Sequence, residues 1–281
     1  MAESLTLGIT IFGTDQAIHP ARLAREAEER GFHSFYVPEH THIPTSRLSP
    51  PPTGEAELAE EYKRTLDPFI ALAAAASVTS RIRLGTGVCL VAQHDPIVLA
   101  KTVATLDHLS AGRVVLGIGF GWNREEMADH GVEFRRRRER VREHVLAMCA
   151  LWAHERAGFE GEFVRVSESW SWPKPVQQPR PPLLIGGAPG PKLFAHIAEY
   201  ADGWMPIGGA GVAAALPDLR RAMTAAGRNP DDLRIVLFGA LPTPGKLDYY
   251  RSLGVSEVVL RVPTGPEHVV LPALDEYARL L

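Results

Sequence analysis

The sequence is poor in cysteine, in charge of one sign and in long apolar runs. Its two cysteines, Cys89 and Cys149, have no metal-binding spacing and indicate a reducing compartment. A formal net charge of −3 over 281 residues gives no general attraction for nucleic acid or an anionic membrane. No apolar stretch reaches the length of a membrane-spanning helix, and no charged segment followed by an apolar run opens the chain. We therefore expect a cytoplasmic protein without nucleic-acid or membrane partners.

The chain does contain enough apolar residues for one large core. Hydrophobic residues make up 45% and charged residues 22%, as in folded globular proteins. Short β-branched runs alternate with longer segments of helical period, beginning with residues 5–12 and 20–30. Eight such strand–helix pairs predict a parallel sheet that closes into a (β/α)8 barrel, also called a TIM barrel. No repeat, linker or composition break divides the chain, so residues 1–281 are expected to form one domain.

Two segments interrupt the alternation. Residues 41–64, after the second strand, form a polar, Pro-rich connection, and a connection this long is usually a functional lid or a binding loop. Residues 158–166 have the pattern of a small hairpin inserted before the fifth strand, which covers residues 183–186. In such barrels the chemistry lies in the loops after the strands, so the residues at those positions are the candidates for function.

Glu39 and His40 follow the second strand directly. A carboxylate beside an imidazole suits general acid–base chemistry, because histidine titrates near neutral pH and the carboxylate can orient it. A histidine hydrogen-bonded to a loop carbonyl fits the same pattern equally well. Metal binding through His40 and His42 is a weaker alternative, since no other strand end supplies an obvious third ligand. We expect Glu39 and His40 to be catalytic and expect no metal.

Glycine-rich segments lie at the ends of four other strands, at residues 85–87, 117–121, 186–190 and 208–211. The segment from Gly117 to Gly121 has G-x-G-x-G spacing in mid-chain, which excludes the dinucleotide fingerprint that opens a helix after a first strand. The turn around Gly186 and Gly187 leads into a helix, and backbone N–H groups at a helix N-terminus can bind a phosphate. Tight packing of the barrel is the alternative reason for these glycines.

A basic run of arginines lies at residues 135–142. Glu139 and Glu143 are interleaved with it on a predicted helix, a pattern typical of a solvated, ion-paired face or a subunit contact rather than of nucleic-acid binding.

Taken together, these segments resemble the bacterial luciferase-like superfamily, and most closely its branch of oxidoreductases that depend on the deazaflavin coenzyme F420. The resemblance extends in the expected order from residue 5 to about residue 260. Its most specific part is the run from Gly85 to Trp122. The other segments that carry it are residues 83–84, 126, 173–177, 181–187 and 200–204.

The resemblance implies a (β/α)8 barrel with the cofactor ring across its mouth. It also implies a non-proline cis peptide after the third strand, at Gly87-Val88 or Val88-Cys89, and makes His40 the active-site histidine. The residues that would then contact the cofactor are Gly87, Val88, Gly119, Gly121, Trp122, Gly186, Gly187, Ala188 and Pro189. Relatives often carry a glutamate where Trp122 stands, and this departure argues against a sugar-phosphate dehydrogenase.

The expected function is therefore an F420-dependent oxidoreductase that transfers hydride between the deazaflavin and a small organic substrate. An FMN-dependent monooxygenase on the same fold is the nearest alternative. A metal-dependent barrel hydrolase and a non-catalytic flavin-binding barrel are remoter ones. The resemblance also implies a homodimer.

Overall fold

Eight parallel strands close into a barrel in the computed structural model, which describes residues 5–51, 57–241 and 243–281. The strands of the barrel are β1 (Thr6–Thr10), β2 (Ser34–Val37), β3 (Arg83–Thr86), β4 (Val114–Ile118), β7 (Leu183–Gly186), β8 (Gly203–Met205), β9 (Arg234–Ala240) and β10 (Glu257–Arg261). β5 (Arg156–Glu160) and β6 (Arg165–Trp170) form a separate antiparallel hairpin between β4 and β7. Around the barrel the order is β1-β10-β9-β8-β7-β4-β3-β2. The predicted (β/α)8 barrel and its inserted hairpin are confirmed.

Helices follow the strands and surround the barrel. They are α1 (Pro20–Glu29), α2 (Pro68–Ala76), α3 (Pro96–Leu109), α4 (Arg124–Asp129), α5 (Arg137–Ala153), α6 (Pro191–Tyr200), α7 (Val212–Ala225), α8 (Pro244–Ser252) and α9 (Glu267–Ala278). Among the described residues, none of these helices has the length and apolar character needed to cross a membrane.

Local sequence signals set where several helices begin. Asp67 accepts a hydrogen bond from the backbone N–H of Ile70 at 2.9 Å, and Pro68 occupies the first turn of α2. α3 begins in the same way, with Asp95 as its N-cap and Pro96 as its first residue. Each cap satisfies N–H groups that the helix itself leaves without partners.

The structure adds a short helix that the alternation of strands and helices does not predict. α4 begins after Asn123, whose side chain accepts a hydrogen bond from the backbone N–H of Glu126 at 3.4 Å. The long connection also contains a one-turn 3-10 helix at Glu60–Arg64. Residues 52–56 of that connection lie outside the described part of the chain.

Two hydrophobic clusters form the core. The larger one packs the outer faces of the strands against the helices. The smaller one takes one residue from each of six strands and fills the inside of the barrel. Its members are Tyr36, Val115, Leu184, Met205, Val236 and Val259. The barrel interior is thus a packed core, and ligand access is restricted to its ends.

Candidate active site

His40 lies at the carboxyl end of β2 and pairs with a carboxylate from another strand's loop. Its Nδ1 lies 2.8 Å from Oε2 of Glu126, on α4, and the Glu126 side chain is 1% exposed. The other carboxylate oxygen accepts a hydrogen bond from the backbone N–H of Thr41 at 3.2 Å. Because Glu126 accepts the Nδ1 proton, Nε2 of His40 is the nitrogen left to exchange a proton with a ligand. A buried carboxylate that orients an imidazole is an arrangement suited to general acid–base chemistry.

Aromatic side chains surround this pair. The Trp122 ring lies 5.7 Å from the His40 ring, edge to face, and the Tyr62 ring lies 5.4 Å from it. Tyr62 belongs to the 3-10 helix of the long connection and is almost completely buried. The connection therefore returns to the barrel mouth, as a binding loop is expected to do, and contributes an aromatic wall beside His40.

The structure gives Glu39 different partners from His40. Glu39 is 4% exposed, and its carboxylate accepts hydrogen bonds from the backbone N–H of Leu90 at 2.5 Å and from Nε2 of His94 at 2.7 Å. Burial alone would raise the pKa of Glu39, but the hydrogen bond and charge of His94 outweigh it and lower that pKa. Burial alone would lower the pKa of His94, but the hydrogen bond and charge of Glu39 outweigh it and raise that pKa. Glu39 thus fixes the segment after β3, and a catalytic role for it stays a prediction.

The two histidines considered as metal ligands have separate partners. His42 is largely exposed and pairs with Asp129 at 2.9 Å, whereas His40 pairs with Glu126. Among the described residues, Glu39, Cys89 and His94 do lie close enough to share an ion, with ligand atoms within 4.8 Å of one another. However, Glu39 already forms hydrogen bonds with the His94 imidazole and the Cys89 thiol. Burial, followed by the charge of Glu39, raises the pKa of the Cys89 thiol, which opposes the thiolate that metals and nucleophilic catalysis require.

Val88 lies at the centre of the glycine-rich turns. The Gly87-Val88 peptide is cis, as the resemblance implied. A β-carbon at Gly119 would lie 2.4 Å from Cγ2 of Val88, and one at Gly186 would lie 2.9 Å from its Cγ1. The absence of a side chain at these two glycines therefore leaves room for the Val88 side chain between β4 and β7. That packing is a structural reason for glycine at both positions, and their contact with a cofactor stays a prediction.

The turns after β7 and β8 are open to solvent and lead into helices. Gly187, Ala188 and Pro189 are exposed, and α6 begins at the next turn. Gly208 and Gly211 have φ of 64° and 74°, and a β-carbon at either would meet nothing within 4 Å. Among the described residues, no side chain caps the N-terminus of α6 or α7. β7 and β8 are neighbours in the barrel, so the two uncapped N-termini follow adjacent strands. Phosphate binding at these turns stays a prediction.

Sequence reasoning missed the role of Glu126, although a local signal existed. Asn123 followed three residues later by Glu126 is a helix-start pattern, and it places Glu126 in the first turn of α4. Tyr62 had no comparable signal, since its position depends on how residues 41–64 fold back over the barrel.

Comparisons with known proteins agree with this geometry. The family model described as luciferase-like monooxygenase matches residues 13–242. The chain belongs to the luciferase-like monooxygenase family. It is therefore an oxidoreductase of the luciferase-like type, built on the (β/α)8 barrel described above.

Three known proteins illustrate what this luciferase-like chain is similar to. Rv0953c of Mycobacterium tuberculosis is 50% identical over 260 residues, 91% of each chain. An F420-dependent glucose-6-phosphate dehydrogenase of Kineococcus radiotolerans is 34% identical over 216 residues, which cover 74% of this chain and 59% of that one. The crystal structure of the monooxygenase RslO1 from Streptomyces bottropensis superposes with a TM-score of 0.80 at 25% identity, over 99% of this chain and 98% of that one.

The missing glutamate at position 122 has a different meaning in the structure. Trp122 stands where the resemblance implied a glutamate, and this departure argued against a sugar-phosphate dehydrogenase. Glu126 supplies a carboxylate to the same histidine from one helical turn further along. The absence of glutamate at position 122 therefore does not leave His40 without a carboxylate partner.

Proposed function

We propose that the protein is an F420-dependent oxidoreductase that transfers hydride between the deazaflavin and a small organic substrate. The observation that carries the proposal is the buried Glu126–His40 pair at the mouth of a luciferase-like barrel. Similarity to relatives named F420-dependent dehydrogenases, at 34% and 31% identity, supports the choice of cofactor.

The chain offers places for both ends of such a cofactor. A ring at the barrel mouth would contact Gly87, Val88, Gly119, Gly121 and Trp122, and a phosphate would meet the backbone N–H groups at 186–189 and 208–211. The open, positive-φ glycines of the second turn and the uncapped N-termini of α6 and α7 fit this requirement. When bound, the deazaflavin supplies the hydride chemistry.

The protein's own residues would then orient the substrate and manage its proton. His40 exchanges a proton through Nε2, and Glu126 holds the ring in one orientation. Trp122 and Tyr62 exclude water from one side of the imidazole. Glu39 acts through the Leu90 backbone by holding the segment that carries Val88.

An FMN-dependent monooxygenase is the second candidate. The observation in its favour is the similarity to RslO1, which covers nearly the whole chain.

Oxygen dependence separates the two candidates. Reduced F420 and reduced FMN are each offered with a panel of aldehydes, ketones and activated alkenes, with and without oxygen, and cofactor oxidation is followed by absorbance. The proposal expects substrate-dependent oxidation of reduced F420 without oxygen. Turnover that needs FMN and oxygen would establish the monooxygenase instead.

We also propose a homodimer in the cytoplasm. α2 and α3 pack against each other and carry the exposed apolar side chains Ile70, Ile97 and Val98. A second copy of the chain would remove these side chains from water. The two free cysteines, Cys89 and Cys149, suit a reducing compartment.

A further inference from the structure

The arginines of the basic run divide into two groups in the structure. Arg136 pairs with Glu139 and Glu162, and Arg142 pairs with Glu199, so these two belong to the predicted ion-paired surface. Arg137 and Arg138, although adjacent, form no ion pair with any described residue. Their guanidinium groups lie against aromatic rings, 3.7 Å from the Phe134 centroid for Arg137 and 4.3 Å from the Phe120 centroid for Arg138.

Arg124 joins Arg137 at Phe134. Its guanidinium lies 4.8 Å from the same ring centroid, and it too forms no ion pair within the described part of the chain. The pKa of Arg137 is lowered by burial, and then by the charges of Arg138 and Arg124. Nε of Arg137 is buried without a hydrogen-bond partner. One terminal nitrogen of the same guanidinium donates to the carbonyl oxygen of Phe134 at 2.7 Å. A buried donor without a partner, as at Nε, is uncommon in native proteins, and a bound anion would satisfy it.

A cleft opens at these arginines. Two adjoining cavities, of about 680 and 580 Å³, share Arg124, Phe134 and Arg137 as lining residues. In the larger one Gly121, Trp122, Glu125 and residues 48–51 form the remaining walls. Trp122 also lies edge to face with His40, so a single side chain borders both the cleft and the catalytic histidine.

Two carboxylates also line the cleft, and neither forms an ion pair with these arginines. Glu125 accepts hydrogen bonds from the Ser49 hydroxyl at 2.7 Å and from the backbone N–H of Leu48 at 2.8 Å. These contacts, of which the Ser49 hydrogen bond is the strongest, lower the pKa of Glu125 to about 2. Glu125 is therefore ionised, and its carboxylate is bound to residues 48 and 49. Glu133 lies exposed at the rim and forms no ion pair among the described residues.

We infer that Arg124 and Arg137 form an anion-binding site that holds a carboxylate or phosphate group of a molecule reaching the barrel mouth past Trp122. Two guanidinium groups present planar, paired N–H donors that match both kinds of anion. The anion can belong to the organic substrate or to the acidic tail of the cofactor. The identity of the bound molecule rests on the proposed function, whereas the binding of an anion at this site does not.

Inorganic phosphate tests the site without any cofactor. It is titrated by calorimetry, at constant ionic strength, into the wild-type protein and the double variant Arg124→Gln/Arg137→Gln. Arg136→Gln is the matched control, because it removes an adjacent charge from the ion-paired surface. We expect the double variant to lose at least about tenfold in affinity for one class of phosphate site, and the control to change less than about twofold. Phosphate bound at the turns after β7 and β8 would be unaffected in all three proteins.

Equal phosphate affinity in the wild-type protein, the double variant and the control would overturn the inference. If the double variant does not fold, Arg124→Lys/Arg137→Lys replaces it. Lysine keeps the charge but loses the paired donors, so weaker phosphate binding is still expected, and unchanged binding would again overturn the inference.

The same variants identify the source of the anion. A weakened dissociation constant for F420 assigns the site to the cofactor tail. An unchanged one, with a raised KM for acidic but not for neutral substrates, assigns it to the substrate. If the wild-type protein binds no deazaflavin, the proposed function fails while the phosphate result still stands.

Discussion

At the scale of single residues, the Glu126–His40 pair is the proposed proton-transfer unit. The pair is joined at 2.8 Å, and Glu126 is almost completely buried. Two residues from loops of different strands, 86 positions apart, thus form one unit. Removing either should therefore affect catalysis more than cofactor binding.

His40→Ala should reduce kcat by about 10²–10⁴-fold, since that is the usual contribution of a general acid or base. The dissociation constant of the cofactor should change little, because the glycine-rich turns hold it. Both are measured with the substrate found in the panel assay. Lost cofactor binding with unchanged turnover per bound cofactor would contradict the role of His40.

Glu126 is proposed to be a positioning residue, which acts by orienting the His40 imidazole. Glu126→Gln should lower kcat by about tenfold with little change in KM, and Glu126→Asp should restore part of the loss, because a carboxylate again reaches Nδ1. Asp129→Asn on the same helix is the control, since Asp129 pairs with the exposed His42. Equal effects of the Glu126 and Asp129 variants would show that α4 is merely destabilised.

Glu257 provides a residue-scale prediction about stability. It lies in the barrel interior at β10, beside Ser34 and Tyr36, and burial raises its pKa to about 7 despite the hydrogen bond from Ser34. The folded protein therefore retains a proton that the unfolded chain releases above pH 4.5. This contribution to stability is present below pH 4.5 and is lost as the pH rises through about 7, where the loss reaches about 3 kcal/mol.

Glu257→Gln should remove that pH dependence. Between pH 5 and pH 8 the free energy of unfolding, measured with urea, should fall less steeply in the variant than in the wild-type protein. Glu160→Gln, at an exposed position of β5, should leave the slope unchanged. Parallel curves for Glu257→Gln and wild type would show that Glu257 does not titrate in this range.

At the scale of elements, sequence patterns predicted what depends on neighbours along the chain. The alternation of strand-like and helix-like periods predicted the barrel strands. The Asp67-Pro68 pair is a local signal that marks the start of α2. Contacts between distant elements were not predictable in the same way. The approach of Tyr62 to His40 depends on the path of residues 41–64, and the division of the arginine run depends on which side of α5 each side chain occupies.

The turns around Val88 provide the element-scale prediction. Gly119→Ala would place a β-carbon 2.4 Å from Val88, so β4 or the segment after β3 must move. We expect a loss of about 1–3 kcal/mol in the free energy of unfolding and a cofactor affinity at least about tenfold weaker. Gly245→Ala is the control, because a β-carbon there meets nothing within 4 Å. Wild-type stability and cofactor affinity in Gly119→Ala would disprove the close packing.

At the scale of the whole molecule, the proposed dimer can be tested at the exposed apolar residues of α2 and α3. Val98 is 63% exposed in the single chain. Val98→Asp should place a charge in the interface and shift the protein from dimer to monomer in sedimentation experiments. His108→Asp, also on α3 and exposed, serves as the comparison. A wild-type protein that sediments as a monomer would contradict the dimer.

The central claim is that this luciferase-like barrel uses a deazaflavin, and a binding titration tests it most directly. F420 and FMN are each titrated into cofactor-free protein and followed by their own fluorescence. We expect saturable binding of one F420 per chain, with FMN bound at least about tenfold more weakly. FMN binding tighter than F420, or no binding of either, would contradict it.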